Sequence, residues 1–226
     1  MLRELIHLFY PRLCIACNGN LLRNESFLCT GCLFHLPQTH FHTLPENSLA
    51  KIFWGRLPLE QAMAFLHFKK GNAVQHILHE IKYKDNKELA VFIGTYYGSL
   101  LKKAGMNWDA VAAIPLHKSK LKKRGYNQSG LIAQGLATSL GVEDLSESLL
   151  RVKATETQTR KHRFERWENV EEVFAIKHVP SFTGKHILLV DDVITTGATL
   201  EACGKVILEI PGSKLSVASI AFANGA

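Results

Sequence analysis

The sequence predicts an α/β protein with a mostly parallel sheet flanked by helices, preceded by a small four-cysteine module. Three observations predict it. From Gln61 onward, short apolar runs alternate with stretches of helical spacing. The run Ile187-Leu188-Leu189-Val190 stops at two adjacent acids, Asp191 and Asp192, before a Thr/Gly/Ala turn and a helical pattern. Two Cys-x-x-Cys pairs lie close together before Pro45.

The elements follow in chain order. Met1 to Tyr10 has Arg3, Glu4 and His7 within Leu/Ile/Phe spacing, which reads as a short amphipathic helix. A signal peptide would need an unbroken apolar core and a small-residue cleavage site. Residues 1–45 form the cysteine module, 46–60 a connector and 61–226 the main domain. Ala62 to Phe68 alternates weakly and suits an edge strand. Val74, Ile77, Leu78 and Ile81 give a helix to Tyr83, and Leu89 to Leu101 gives another. Ala110 to Ile114 is a short strand ended by Pro115. Ser129 to Leu140 is a helix with Gly141 at its C-cap. The stretch from Lys153 to Glu172 is polar and charged, a loop or an exposed helix. Ile187 to Val190 is a central strand, Leu200 to Glu209 its helix, and Leu215 to Phe222 the last strand.

The chain has 226 residues and a hydrophobic fraction of 46%, enough for a full core in one domain plus a small module. No apolar run approaches the ~20 residues that span a bilayer, so a cytoplasmic location is expected. The net charge of +7 suits polyanions, either pyrophosphorylated sugars or nucleic acid, and does not choose between them.

Cys14-x-x-Cys17 and Cys29-x-x-Cys32 are separated by eleven residues, a zinc-site spacing. Four thiolates make a closed tetrahedral structural site. Two disulfides do not suit a reducing cytoplasm, and a redox Cys-x-x-Cys needs a thioredoxin-like unit for which there is no room. Gly19 and Gly31 fall where knuckle turns call for small residues. His35, His40 and His42 are expected to be exposed, and Cys203 to be a core residue.

The segment after Val190 is a strand, a tight turn and a helix start. Ligands of open α/β sheets sit at strand carboxyl ends. Small residues let backbone N–H groups approach a phosphate, and the helix dipole favours its charge. Thr195, Thr196 and Thr199 add hydroxyls, with Gly197 and Ala198 between them. Asp191 and Asp192 accept hydrogen bonds, so they suit sugar hydroxyls or a metal. The implied ligand is a phosphate joined to a polyol. A Walker loop is excluded, because Gly184-Lys185 precedes the strand and is followed by His186.

Two cationic stretches accompany this turn. Pro115-Leu116-His117 leads into a basic loop with five positive charges from Lys118 to Arg124, then Gly125-Tyr126-Asn127-Gln128. Arg grips phosphate with two N–H groups and Lys supplies a point charge. The second stretch, Gln158 to Phe174, carries Arg160, Lys161, Arg163, Arg166, Trp167 and Asn169. It reads as a lid over the site, as a stacking and phosphate-pairing surface for single strands, or as a plain surface helix.

The acid pair and Thr-Gly turn resemble the 5-phosphoribosyl-1-pyrophosphate (PRPP) loop of type I phosphoribosyltransferases. The order of the four-Cys module, Pro115-Leu116-His117 with Arg124 to Gln128, Gln158…Arg166…Asn169…Phe174, and the acid pair is similar to the ComF family over nearly the whole chain. Lys161 departs from the apolar residue usual there. The resemblance implies a type I phosphoribosyltransferase fold with a zinc module and a link to DNA uptake in natural transformation. It implies that Asp191 and Asp192 orient the ribose and that Thr195 to Thr199 hold the 5-phosphate, with Arg166 on the ligand. Lys118 and Arg124 then neutralise departing pyrophosphate, with magnesium on the ligand oxygens. A non-catalytic alternative binds single-stranded DNA through Lys120, Lys122, Lys123, Arg163 and Trp167, and meets proteins of the uptake machinery. The sequence offers no C-terminal hood for a nucleobase.

Overall fold

The structure is a computed structural model, and it describes residues 11–153 and 172–223. The expected helix over 1–10 and most of the polar stretch lie outside them. The described helices are α1 (Thr30–Phe34), α2 (Ser48–Phe53), α3 (Ala73–Tyr83), α4 (Lys87–Lys103), α5 (Lys118–Arg124), α6 (Gln128–Leu140) and α7 (Ala198–Leu208). The strands are β1 (Gln61–His67), β2 (Ala110–Ala113), β3 (Glu143–Asp144), β4 (Leu149–Lys153), β5 (Glu172–Ile176), β6 (His186–Ile194) and β7 (Lys214–Phe222).

One parallel sheet has the order β1-β7-β6-β2-β3, with β1 at an edge as its pattern suggests. Its side chains are nonetheless buried from Ala62 to Leu66, on both faces. The reason is a helical cover: α2 lies against β1, and Asn47 ties them. The Asn47 side chain caps α2 by accepting from the Leu49 and Ala50 N–H groups, and its Nδ2 donates to the Ala62 carbonyl at 2.8 Å. Leu49 and Phe53 of α2 are buried in the core. Residues 46–60, expected as a connector, therefore contribute a buttress to the sheet.

The connection β2–α6–β3 runs outward on one side, and β6–α7–β7 runs outward on the other. Right-handed crossovers in opposite directions put α6 and α7 on opposite faces of the sheet. The gap between β2 and β6 is thus a topological switch point, where ligands of such sheets bind.

Helices α4 and α6 cross with their backbones in contact. A Cβ on Gly94 would stand 2.2 Å from the Ile132 carbonyl oxygen, and one on Gly135 would stand 2.3 Å from that of Val91. No side chain fits there, so these glycines set the helix spacing. Strands β4 and β5 form a separate antiparallel ribbon that brings Lys153 and Glu172 opposite one another.

The expected basic loop is a helix, and this is a correction. His117 caps α5 by accepting from the Ser119 N–H, and Gly125 ends it in the left-handed region at φ 78°. Reading the segment as a loop concealed its 3.6-residue period. No described helix is long and apolar enough to cross a membrane.

Candidate functional site

Two sites emerge. In the first, the sulfur atoms of Cys14, Cys17, Cys29 and Cys32 all lie within 4.8 Å of one another, a group that could hold a metal ion. The backbone arranges them. The Gly19 N–H points at Cys17 Sγ, the Cys29 N–H at Cys14 Sγ and the Cys32 N–H at Cys29 Sγ, at 3.3–3.4 Å. The left-handed residue in the first knuckle is Asn18 at φ 58°. Gly31 is in α1 with open space around it, so it meets no steric demand for a small residue. Burial raises the Cys14 thiol, but N–H donors outweigh it and bring the group down to about 7. Burial and its thiol neighbours push Cys32 up. Four soft thiol ligands within this reach of one another could hold a metal ion. His35 and His40 are exposed and His42 is half-buried. Cys203 is buried in α7, as expected of a core residue.

The second site is at the switch point, and three cavities meet there. The first, about 180 Å³, is walled by Lys82, Lys120, Arg124, Gln128, Ser129, Arg151, Asp191, Asp192 and Thr199 with the Pro115 turn. The second, about 40 Å³, is the turn itself, Val193 to Leu200 with Asp191. The third, about 460 Å³, opens between β6 and α3.

The two acids have different environments. Ser129 Oγ donates to Asp191 Oδ1 at 3.0 Å, and the Asp192 N–H donates to the same oxygen at 2.8 Å. Burial, then the charge of Asp192, lifts the Asp191 carboxyl to about 7. Asp192 is instead ion-paired, its Oδ2 lying 2.9 Å from Lys82 Nζ. Gly197 opens α7 in the left-handed region at φ 73°, as the small-residue turn requires. It also has no room for a side chain, since a Cβ there would stand 2.7 Å from Phe53 Cζ. Arg56 secures the turn from behind, donating to the Thr196 carbonyl at 3.0 Å and to Glu201 Oε2 at 2.9 Å.

The basic helix divides by face. Lys120 and Arg124, one turn apart, line the first cavity, whereas Lys118, Lys122 and Lys123 are exposed and do not. Lys118 is thus not brought to the acid pair, and Lys120 is. Arg124 stacks over Tyr83, its guanidinium carbon 5.4 Å from the ring centroid, and donates to Gln128 Oε1 at 2.8 Å. The intervening motif moors the helix. The Tyr126 hydroxyl donates to the Ile81 carbonyl, and Asn127 Nδ2 to the Ile114 carbonyl at 2.9 Å. Gln158, Arg160, Lys161, Arg163, Arg166, Trp167 and Asn169 lie outside the described residues. Arg151 of β4, on the cavity wall, has its guanidinium carbon 5.5 Å from the centroid of the Phe174 ring.

Sequence reasoning did not single out Lys82, Arg151, Ser129 or Arg56. A lysine in a last helical turn is explained by the helix dipole alone, so nothing marks Lys82. Arg56 is in the segment read as connector.

Comparison with known proteins agrees with this geometry. The phosphoribosyl transferase domain family matches residues 79–226. Competence protein F of Haemophilus influenzae is 33% identical over 114 residues, half of this chain and half of that protein. DNA utilization protein YhgH of Escherichia coli K12 is 28% identical over 204 residues, 87% of this chain and 84% of that one. Competence protein ComFC of Bacillus subtilis is 31% identical over 150 residues, 66% and 59% respectively. The acid pair at the end of β6 and the glycine turn lie within the matched residues, and the chain belongs to the phosphoribosyl transferase domain family as a ComF-type member.

Proposed function

We propose that this chain binds PRPP with magnesium at the switch point and transfers its phosphoribosyl group to an acceptor, in a ComF-type role linked to DNA uptake. The observation that carries the reading is the convergence of an acid pair, a phosphate-sized turn and a cationic wall. Asp191 and Asp192 accept from the ribose hydroxyls. The backbone N–H groups and hydroxyls of Thr195 to Thr199 hold the 5-phosphate at the start of α7. Arg124, Lys120 and Arg151 face the pyrophosphate, in place of the Lys118 expected from the sequence.

The chemistry is positional and electrostatic. An acceptor lone pair forms a bond to ribose C1 while the bond from C1 to the pyrophosphate oxygen breaks, and that electron pair leaves with pyrophosphate. Negative charge grows on the leaving group, where the cationic wall stabilises it. Asp192 is already paired to Lys82, and burial with the charge of Asp192 raises the Asp191 carboxyl, so the donor set suits a metal that arrives on ligand oxygens. Magnesium supplies additional charge neutralisation there when bound. Zinc suits the four thiolates, and four such thiols favour the reducing cytoplasm.

One observation supports a second reading. Lys122 and Lys123 are exposed outside the cavity, where pyrophosphate does not explain them. With Arg163 and Trp167 they suit the backbone and bases of single-stranded DNA. The names of the relatives, competence and DNA utilization proteins, favour a DNA-linked role under either reading.

Titration calorimetry with PRPP and magnesium, followed by a pyrophosphate-release screen, tests the proposal. Binding that is lost in Asp191→Ala and Asp192→Ala is expected. No binding by the parent chain overturns the PRPP reading. Binding of single strands that collapses on raising salt from about 50 to 200 mM supports the second.

A further inference from the structure

The turn that opens α7 contains a peptide that can face either way, and a residue behind it decides which. Gly197 has φ 73° and ψ 1°, the values of the third residue of a type II turn. A type I turn differs mainly by reversal of the peptide before that residue, which here joins Thr196 to Gly197, and it brings φ to about −90°. Glycine accepts either sign of φ about equally, so Gly197 does not choose between them. No other residue fits, because Phe53 stands where its Cβ would be. The glycine that this crowding demands leaves the peptide free to reverse.

The orientation matters to an anion. A trans peptide holds its C=O and N–H in opposite directions. As the turn stands, Arg56 Nη1 donates to the Thr196 carbonyl at 3.0 Å, so the Gly197 N–H faces away from Arg56. The cavity of the turn is lined by Gly197 and by neither Arg56 nor any residue of α2. An N–H on that side adds a donor to those at the helix start. Reversal of the peptide would put a carbonyl oxygen in its place, and that oxygen would repel a phosphate.

We infer that Arg56 is a positioning residue, which locks the peptide between Thr196 and Gly197 so that the N–H is left for the 5-phosphate. The inference rests on the proposed placement of that phosphate in the turn. The guanidinium is held on two sides. Its Nη1 also donates to the Ile52 carbonyl at 3.1 Å, which satisfies a carbonyl at the end of α2. Its Nε and Nη2 both meet Glu201 Oε2 in the first turn of α7, at 2.9 and 2.5 Å. The group is thus fixed to α2 and to α7, and the Thr196 carbonyl is gripped between them. A tight turn delivers it there: Gly55 is left-handed at φ 71°, and the Arg56 N–H donates back to the Phe53 carbonyl at 2.9 Å. Glu201 would otherwise set an unpaired negative charge near the start of α7, and Arg56 and Lys205 hold it in ion pairs. A lysine at position 56 would supply the charge without the planar fork that serves three acceptors at once.

Calorimetry with PRPP and with ribose 5-phosphate, beside the amide spectrum of the isotope-labelled chain, tests the lock. Arg56→Met should weaken both ligands by the same factor, about tenfold, the order of one lost charge-assisted hydrogen bond. Arg56→Lys keeps the charge and should still bind both about fivefold more weakly than the parent. Without ligand, the Gly197 amide of Arg56→Met should show exchange broadening that is absent in the parent and is removed by saturating ribose 5-phosphate, while the amides of the sheet stay as in the parent. Parent-like affinity in Arg56→Met overturns the lock and leaves the PRPP reading standing. Full recovery in Arg56→Lys, or weaker binding with a sharp Gly197 amide throughout, means that charge alone acts and overturns it too. Amide changes spread over the whole sheet in Arg56→Met make the residue a support of the fold and overturn the positioning role. Absence of binding by the parent to both PRPP and ribose 5-phosphate overturns the phosphate placement and this inference with it.

Discussion

The four-thiol cluster and the acid-pair cleft are the two places where this chain concentrates chemistry, and they are assembled in opposite ways. The cluster is local. Two short knuckles supply all four sulfur atoms, and neighbouring N–H groups aim them. The cleft is composite. Its residues come from α3, α5, α6, β4, β6 and the turn before α7, and α2 supports it from behind. A local site stands or falls on its own ligands. A composite site can be damaged from residues that never touch the ligand.

Two substitutions break the pair apart, and they carry the largest effects. Cys17→Ser removes one of four thiolates, and structural zinc binding is worth roughly 10–16 kcal/mol in small modules. The metal should be lost and the segment around the knuckles should become protease-sensitive, including the Phe27 ring that packs 5.3 Å from Phe92 of α4. PRPP binding should survive. Zinc analysis under reducing conditions beside calorimetry checks both halves. Gly197→Val should do the reverse, keeping zinc and losing PRPP. It forces a β-branched residue into the left-handed region and into Phe53, a cost of roughly 2–5 kcal/mol in urea unfolding. Retained PRPP affinity in Gly197→Val would remove the turn from the site.

The same contrast explains how much the sequence discloses. The cluster is legible because its ligand spacing and its geometry are the same information. The turn from Asp191 to Thr199 is legible for the same reason: strand, acids, small residues and helix are contiguous. The sheet order follows in outline from strand–helix alternation, although the full burial of β1 does not. The opposite wall is not legible. Lys82 precedes Asp192 by 110 positions in the chain, and only the packing of α3 at the end of β6 joins them. Gly94 and Gly135 look like ordinary helix weak points until α4 and α6 are seen in backbone contact. The split of Lys118, Lys120 and Arg124 between two faces needed α5 to be recognised as a helix.

Lys82→Met sharpens the composite side of the comparison. It leaves Asp192 without its cation beside Asp191, in a site where both acids are at most partly exposed. Loss of a charge-assisted contact costs roughly 1.5–3 kcal/mol. PRPP affinity should therefore fall by about ten- to a hundredfold, although Lys82 carries no sequence signal of function. Unchanged affinity in calorimetry would reduce Lys82 to a surface residue of α3.

A smaller effect concerns pH. Burial, then Asp192, raises the Asp191 carboxyl from 3.8 to about 7. Between those values the folded chain keeps a proton that the unfolded chain releases. The contribution of Asp191 to stability is therefore fully present below 3.8 and is lost as pH rises through about 7. Ligand binding runs the other way, since ribose hydroxyls donate best to the ionised carboxylate. Adding PRPP at pH 8 should thus stabilise the parent more than at pH 6. Asp191→Asn should flatten the difference attributable to this group, leaving only the titration of the ligand's own phosphate. Melting curves of both proteins at the two pH values, with and without PRPP, decide it. An identical pH response in the two proteins would place the controlling proton elsewhere.

The smallest expected effect probes an almost wholly buried residue at the edge of the cavity wall. Gln128 is 1% exposed at the start of α6, and its Oε1 accepts from Arg124 Nη1 at 2.8 Å. Its Nε2 is buried with no hydrogen-bond partner among the described residues. The side chain thus serves as a brace for Arg124 at a cost to the core, because an unpartnered buried amide is destabilising. Gln128→Leu keeps the volume and removes both the brace and the cost. Arg124 keeps its stacking on Tyr83 but loses one fixed acceptor, worth about 0.5–1.5 kcal/mol. PRPP affinity should drop roughly three- to tenfold, with no loss of melting temperature. Ribose 5-phosphate, which has no pyrophosphate for Arg124 to meet, should bind as before. If both ligands weaken equally, Gln128 acts on the shape of the whole cleft. If only PRPP weakens, the brace acts through Arg124, and a composite wall has been tuned through its most buried member.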